Sequence, residues 1–204
     1  MDSSTTTEPK GGAAPPASKP PWKALAIGGG IALFVAAIGV TSLLLGPRSS
    51  NTTASSGAVV PGQLAPQFIL PSLMDPGQTV AVPADGGGHG KPAVLVFFAS
   101  WCGPCQKEMP ALAAAVSRGE AGNAAVLGID GQDQPAAARA FVTRTGVTFP
   151  VGVDQTFAVV NGKYGFGYLP ETVFINGSGI VTSVHYGATT PALLRQGVKA
   201  FSKG

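Results

Sequence analysis

The run Ala93-Val94-Leu95-Val96-Phe97-Phe98-Ala99 is continuously apolar and rich in β-branched and aromatic side chains. A run this short and this apolar predicts a strand buried on both faces. Gln106 to Arg118 follows it and reads as a helix. Ala124 to Ile129 is a second apolar strand. Gln134 to Thr145 is a second helix, opened by Pro135 and closed by Gly146. Phe149 to Val153 reads as a short extended piece, with a helix after it from about Gln155 to Asn161. Glu171 to Ile175 and Gly179 to Tyr186 are two strands, and Asn176-Gly177-Ser178-Gly179 between them is a hairpin signal. Thr190-Pro191 supplies the N-cap and first position of a last helix, to about Phe201. Upstream, Phe68-Ile69-Leu70 and Thr79-Val80-Ala81-Val82 flank the turn Asp75-Pro76-Gly77-Gln78 and predict a separate hairpin.

The element order is therefore ββ, βαβαβα, then ββα. Strands alternating with helices and ending in a hairpin predict an α/β domain with a mixed central sheet and helices on both faces. About 145 residues from Val59 onward make one domain's worth of chain.

The pattern changes before Val59. Ala24 to Leu45 is 22 residues without a charge, and as a helix it would span about 33 Å, enough to cross a bilayer core. Trp22 and Lys23 stand at its start and Gly46-Pro47-Arg48 at its end. The reading is an uncleaved single-pass anchor over 23–45, between a disordered tail at 1–22 and a flexible Ser/Thr-rich linker at 46–58. Three lysines precede the span and one arginine follows it. The positive-inside rule then places the N-terminus in the cytoplasm and the domain, 59–204, outside.

Charge adds little beyond that. The formal net charge is +3, and from Gly57 onward nine basic residues face eight acidic ones. No basic stripe points to nucleic acid. Gly86-Gly87-Gly88-His89-Gly90 lacks the register and the following helix that phosphate binding needs.

The chemistry concentrates in Trp101-Cys102-Gly103-Pro104-Cys105, which holds the only two cysteines of the chain. The element reading puts them at a strand-to-helix turn. There the unpaired N–H groups and the positive end of the helix dipole stabilise a thiolate. Zinc wants four ligands, and His89 and His185, the only histidines, form no pair at ligand spacing, so no metal is expected. A structural disulfide across so short a loop would gain little from loop-closure entropy. Redox chemistry is the remaining use. It also suits a domain outside the cytosol, where thiols are not held reduced.

With these residues in hand, the domain resembles the thioredoxin fold, and more narrowly the membrane-anchored TlpA/ResA-like thiol–disulfide oxidoreductases of bacteria, which include those of cytochrome c maturation. The resemblance rests on Gly62 to Phe68, on Gly90 to Pro110 around the cysteines, on Phe149-Pro150-Val151 and on Tyr164 to Thr172. It implies a thioredoxin-like fold with an extra N-terminal β-hairpin. It implies that Cys102 is the exposed attacking cysteine, Cys105 the buried resolving one, and Gly103 and Pro104 the motif backbone. Pro170 matches the cis-proline facing the pair, with Leu169 before it and Glu171 after it as substrate-side neighbours. Pro110 matches a helix-kinking proline. Glu108 matches a glutamate near the active-site cavity, against the plainer reading of a solvated carboxylate, and Glu171 equally fits an exposed strand-end charge. Trp101 is expected to cover the site. One departure stands out: thioredoxin's buried acid, six residues before the first cysteine, is replaced here by Val96.

The implied reaction is thiol–disulfide exchange with no cofactor beyond the Cys102–Cys105 pair. The implied partners are thiols and disulfides of exported proteins, apocytochrome c among them, and a transmembrane thiol reductase as electron donor to a monomeric enzyme. Two other readings stay open at this level, a disulfide-forming oxidase or isomerase and a membrane-tethered binding module without turnover. A peroxidase reading lacks the Pro-x-x-x-Thr-x-x-Cys run it would need.

Overall fold

The computed structural model describes residues 58–82 and 90–203. The expected tail, anchor and nearly all of the linker lie outside the described residues, as does the glycine-rich loop with His89. Among the described residues no helix is long and apolar enough to cross a membrane.

Seven strands and three α-helices are present among the described residues: β1 (Phe68–Pro71), β2 (Thr79–Val82), β3 (Ala93–Phe98), α1 (Gly103–Ser117), β4 (Ala125–Gly131), α2 (Pro135–Thr145), β5 (Val151–Asp154), β6 (Glu171–Ile175), β7 (Val181–Tyr186) and α3 (Pro191–Lys199). A π-helical turn, Ala158–Lys163, follows β5, and a 3-10 turn, Ala200–Lys203, follows α3. The five-stranded sheet has the order β5-β4-β3-β6-β7, and β1 with β2 forms the separate hairpin. β3, β4 and β5 are parallel; β6 runs antiparallel to β3, and β7 to β6. The fully buried β3 sits at the centre, as its unbroken apolar run requires.

Two apolar clusters cover the two faces. The first joins Val94, Val96 and Phe98 to Cys105 and Met109 of α1, Phe141 of α2 and Leu194 of α3. The second joins Leu95 and Phe97 to Phe68 of the hairpin, Val160 of the π-helical turn, and Tyr164. The expected helices on both faces therefore become three α-helices on one face. The hairpin, the π-helical turn and the aromatic segment after it cover the other. The helix expected over 155–161 fails to start because Phe157 takes a left-handed conformation, φ 61°. Asp154 instead accepts the N–H groups of Ala158, Val159 and Val160 at 2.8–3.0 Å, which opens a widened turn.

The punctuation read from the sequence sets the boundaries near the site. Thr190 Oγ1 accepts the Leu193 N–H and starts α3. Asn176 Oδ1 accepts the N–H groups of Ser178 and Ile180 and shapes the β6–β7 turn. α3 lies so close to the sheet that a Cβ at Gly197 would overlap the Phe174 ring.

Candidate active site

β3 ends at Phe98, and five residues later, at Gly103, α1 begins. Cys102 is the N-cap of that helix, with extended backbone (φ −78°, ψ 108°), and its Sγ accepts the Cys105 N–H at 3.2 Å. Pro104 falls in the first turn, where its missing N–H costs no hydrogen bond. The helix starts three residues earlier than the apolar spacing indicated, so both sulfurs lie on its first turn. They are joined as a disulfide, with Cα atoms 5.2 Å apart. Cys102 keeps 5% of its surface accessible and Cys105 none. The difference in access runs in the expected direction, but Cys102 shows solvent only an edge. Trp101 beside it is 57% exposed.

The Leu169–Pro170 peptide bond is cis. Pro170 is buried, and its carbonyl accepts the Gly187 N–H at 3.0 Å, which ties the end of β7 to this loop. Leu169 packs against both apolar clusters. Tyr168 is exposed next to Tyr186, with ring centroids 6.5 Å apart.

Glu108 is buried, so the solvated-carboxylate reading does not hold. It sits one helical turn after Cys105, where Oε2 accepts the Thr189 N–H and Oε1 has no partner. Burial pushes its carboxyl up to about 7, and the Thr189 bond opposes that rise only in part. The Thr189 hydroxyl donates in turn to Thr172 Oγ1 at 2.8 Å. Thr172 is the register partner of Val96. Glu108 on the helix is thus linked through Thr189 and Thr172 to the strand position of Val96, where thioredoxin carries its acid.

Glu171 corrects a second expectation. It is fully buried rather than an exposed strand-end charge, because its β3 partner is Phe97 and its β7 partner Tyr186, with Phe166 over both rings. Neither of its carboxylate oxygens has a partner, and burial pushes it up to about 7. Pro110 lies inside α1, and His185 shares a hydrogen bond with the Ala188 carbonyl at 3.1 Å. Among the described residues no group of three or more His, Cys, Asp or Glu is placed to hold a metal ion.

A family model described as the AhpC/TSA family matches residues 61–184. The thiol-disulfide oxidoreductase ResA of Geobacillus thermodenitrificans is 29% identical over 170 residues, covering 80% of this chain and 87% of ResA. The chain belongs to the AhpC/TSA family, as a ResA-type thiol–disulfide oxidoreductase. Among solved structures, a thiol:disulfide interchange protein DsbE from Chlorobium tepidum, described as putative, is 25% identical. Its TM-score is 0.60, and the match covers 71% of this chain and 99% of that one. The structure of MTB DsbF in mixed oxidised and reduced forms is 30% identical with a TM-score of 0.57, covering 70% and 99%. The fold of this oxidoreductase is accordingly thioredoxin-like.

Three buried acids of the oxidoreductase were not singled out by sequence reasoning: Asp130, Asp133 and Asp154. Asp130 is the penultimate residue of β4, opposite Phe98, and neither of its side-chain oxygens has a hydrogen-bond partner. Burial, and then the charge of Asp133, push it up to about 8. A signal was available. Functional groups of α/β sheets gather at and beyond the carboxyl ends of parallel strands; Asp130 lies at the end of β4 and Asp133 just after it, beside the strand that delivers Cys102.

Proposed function

We propose that this oxidoreductase is anchored in a bacterial cell membrane by residues 23–45, with its domain on the outer side, and that it reduces disulfides of exported proteins, apocytochrome c among them. The uncharged span and the lysines ahead of it support the anchoring and the orientation. The observation that carries the chemistry is the asymmetry of the pair: Cys102 has an accessible edge at a helix N-terminus, and Cys105 has none.

In the reduced enzyme, the Cys102 thiolate attacks one sulfur of a target disulfide. That S–S bond breaks, and the other target sulfur leaves as a thiolate that takes up a proton. Cys105 then loses its proton and attacks the Cys102 sulfur. The mixed disulfide breaks, the target departs with both its sulfurs reduced, and the enzyme keeps the Cys102–Cys105 disulfide. Two electrons have moved to the target, and a membrane dithiol donor restores them. Glu108, one turn from Cys105 and raised into the neutral range, is the base for the second step. By the family resemblance, Pro170, Leu169 and Glu171 are the substrate-side neighbours of the pair, and Trp101 covers it. The pair is the only redox group, and the enzyme works as a monomer.

Gly103 and Pro104 put no cation between the cysteines, so the thiolate rests mainly on the helix terminus. Thiolate stabilisation is then modest, which favours a reductase. Equilibration against glutathione or dithiothreitol buffers tests the direction. The expected potential lies nearer the roughly −270 mV of thioredoxin than the roughly −120 mV of a strong oxidant. A value at the oxidising end would make the enzyme a disulfide-forming oxidase.

A further inference from the structure

Ser100 is staked on every side. Its N–H donates to Asp133 Oδ2 at 2.6 Å, and its hydroxyl donates to Asp133 Oδ1 at 2.9 Å. Its carbonyl accepts the side-chain amide of Gln106 at 2.6 Å. Asp133 is itself buried, and its Oδ1 also accepts the N–H of Gln134, the N-cap of α2, at 2.9 Å. One residue further on, the Trp101 indole N–H donates to the Gln132 carbonyl at 3.3 Å. Gln132 reaches that geometry with φ 57°, a left-handed conformation that side chains other than glycine seldom take. Two consecutive residues of the β4–α2 loop, Gln132 and Asp133, thus hold the two residues that precede Cys102.

These bonds do more than close a turn. The Cys102 N–H bonds to Ala99 O at 3.2 Å, so the turn that delivers the sulfur closes around the two pinned residues. Trp101 remains more than half exposed although its indole N–H is fixed. Its ring is therefore held in one orientation beside the sulfur while its surface stays open to a docking polypeptide. A carboxylate suits the task, because its two oxygens accept the Ser100 N–H and hydroxyl at once and the bonds to an ionised acceptor are the stronger kind.

We infer that Asp133 is a positioning residue for thiol–disulfide exchange: from the β4–α2 loop it fixes Ser100, and with the Gln132 carbonyl it sets the Trp101–Cys102 turn against which a target disulfide is presented. This rests on the reading of Cys102 as the attacking sulfur.

Asp133→Asn is the direct test, because the amide keeps size but turns a donor toward the Ser100 N–H. Three readouts are compared with wild type: single-turnover reduction of a model protein disulfide, alkylation of Cys102 against pH, and fluorescence anisotropy of the protein. Trp22 also contributes to the last, so anisotropy is read in a Trp22→Phe background. The expected result is a folded protein with exchange about tenfold slower, a displaced alkylation profile and lower Trp101 anisotropy. Trp101→Phe, which keeps a ring but loses the N–H, should slow exchange by a smaller factor, about threefold. A folded Asp133→Asn protein with wild-type exchange and anisotropy overturns the inference. Should that variant not fold, Ser100→Ala decides, since it removes one of the two bonds at a half-buried site: exchange two- to threefold slower supports the inference, and a wild-type rate overturns it. Absence of exchange in the wild-type protein would instead remove the reading of Cys102 on which it rests.

Discussion

Glu108 and Glu171 lie on opposite sides of the same sheet, and burial raises both carboxyls to about 7. Their surroundings differ. Glu108 stands on the helix that carries both cysteines, holds the Thr189 N–H, and connects through Thr189 to Thr172, opposite Val96. Glu171 has no hydrogen-bond partner and lies among Phe97, Phe166 and Tyr186. A raised pKa therefore does not by itself mark a group that works on the sulfurs. Its place relative to Cys105 does, and that separates an acid expected to appear in thiol chemistry from one expected to appear first in stability.

The largest effect that would break this contrast is thermodynamic. Each acid has a folded-state pKa near 7 against 4.5 for the ordinary carboxyl. Its contribution to stability is then intact below about pH 4.5 and is lost as the pH rises through about 7, a loss of up to about 3 kcal/mol per acid. Glu171→Gln should remove that share. Urea unfolding from pH 5 to pH 8 should show the variant losing about 3 kcal/mol less than wild type, with Cys102 alkylation little changed. An unchanged pH slope would show that Glu171 is ionised in the native protein.

A smaller effect sharpens the other side. Glu108→Gln should slow resolution of the mixed disulfide about tenfold, through loss of the base, and should lower the thiol pKa of Cys102 by removing a negative charge. The second effect should appear only above about pH 7, where wild-type Glu108 is ionised, and the two proteins should coincide at pH 5. Alkylation profiles and single-turnover kinetics measure the two effects. Wild-type behaviour in both would reduce Glu108 to a buried acid with no part in exchange.

What could be read from the sequence was what local chemistry fixes. The unbroken run before the cysteines, Pro135 with Gly146, and Thr190-Pro191 are signals that no distant contact needs to complete, and β3, α2 and α3 follow them. The π-helical turn could not be read, because the carboxylate of Asp154 decides it by taking three successive N–H groups. The burial of Glu171 depends on strands 74 residues upstream and 15 residues downstream that bring Phe97 and Tyr186 alongside. The hold of Asp133 on Ser100 spans 33 residues and leaves no local pattern. The cysteine pair was legible because its motif sits where a strand hands over to a helix. The burial of Glu108 and Asp133 was less so, because only the assembled sheet removes them from water.

If Cys102 attacks and Cys105 resolves, the two sulfurs behave differently in trapping. Cys105→Ser, expressed as the full chain and isolated with free thiols blocked, should accumulate mixed disulfides with protein targets, each linked through Cys102 and released by dithiothreitol. Cys102→Ser should accumulate none. If Cys102→Ser traps the targets through Cys105 and Cys105→Ser does not, the roles are reversed and the account built on the N-cap sulfur fails.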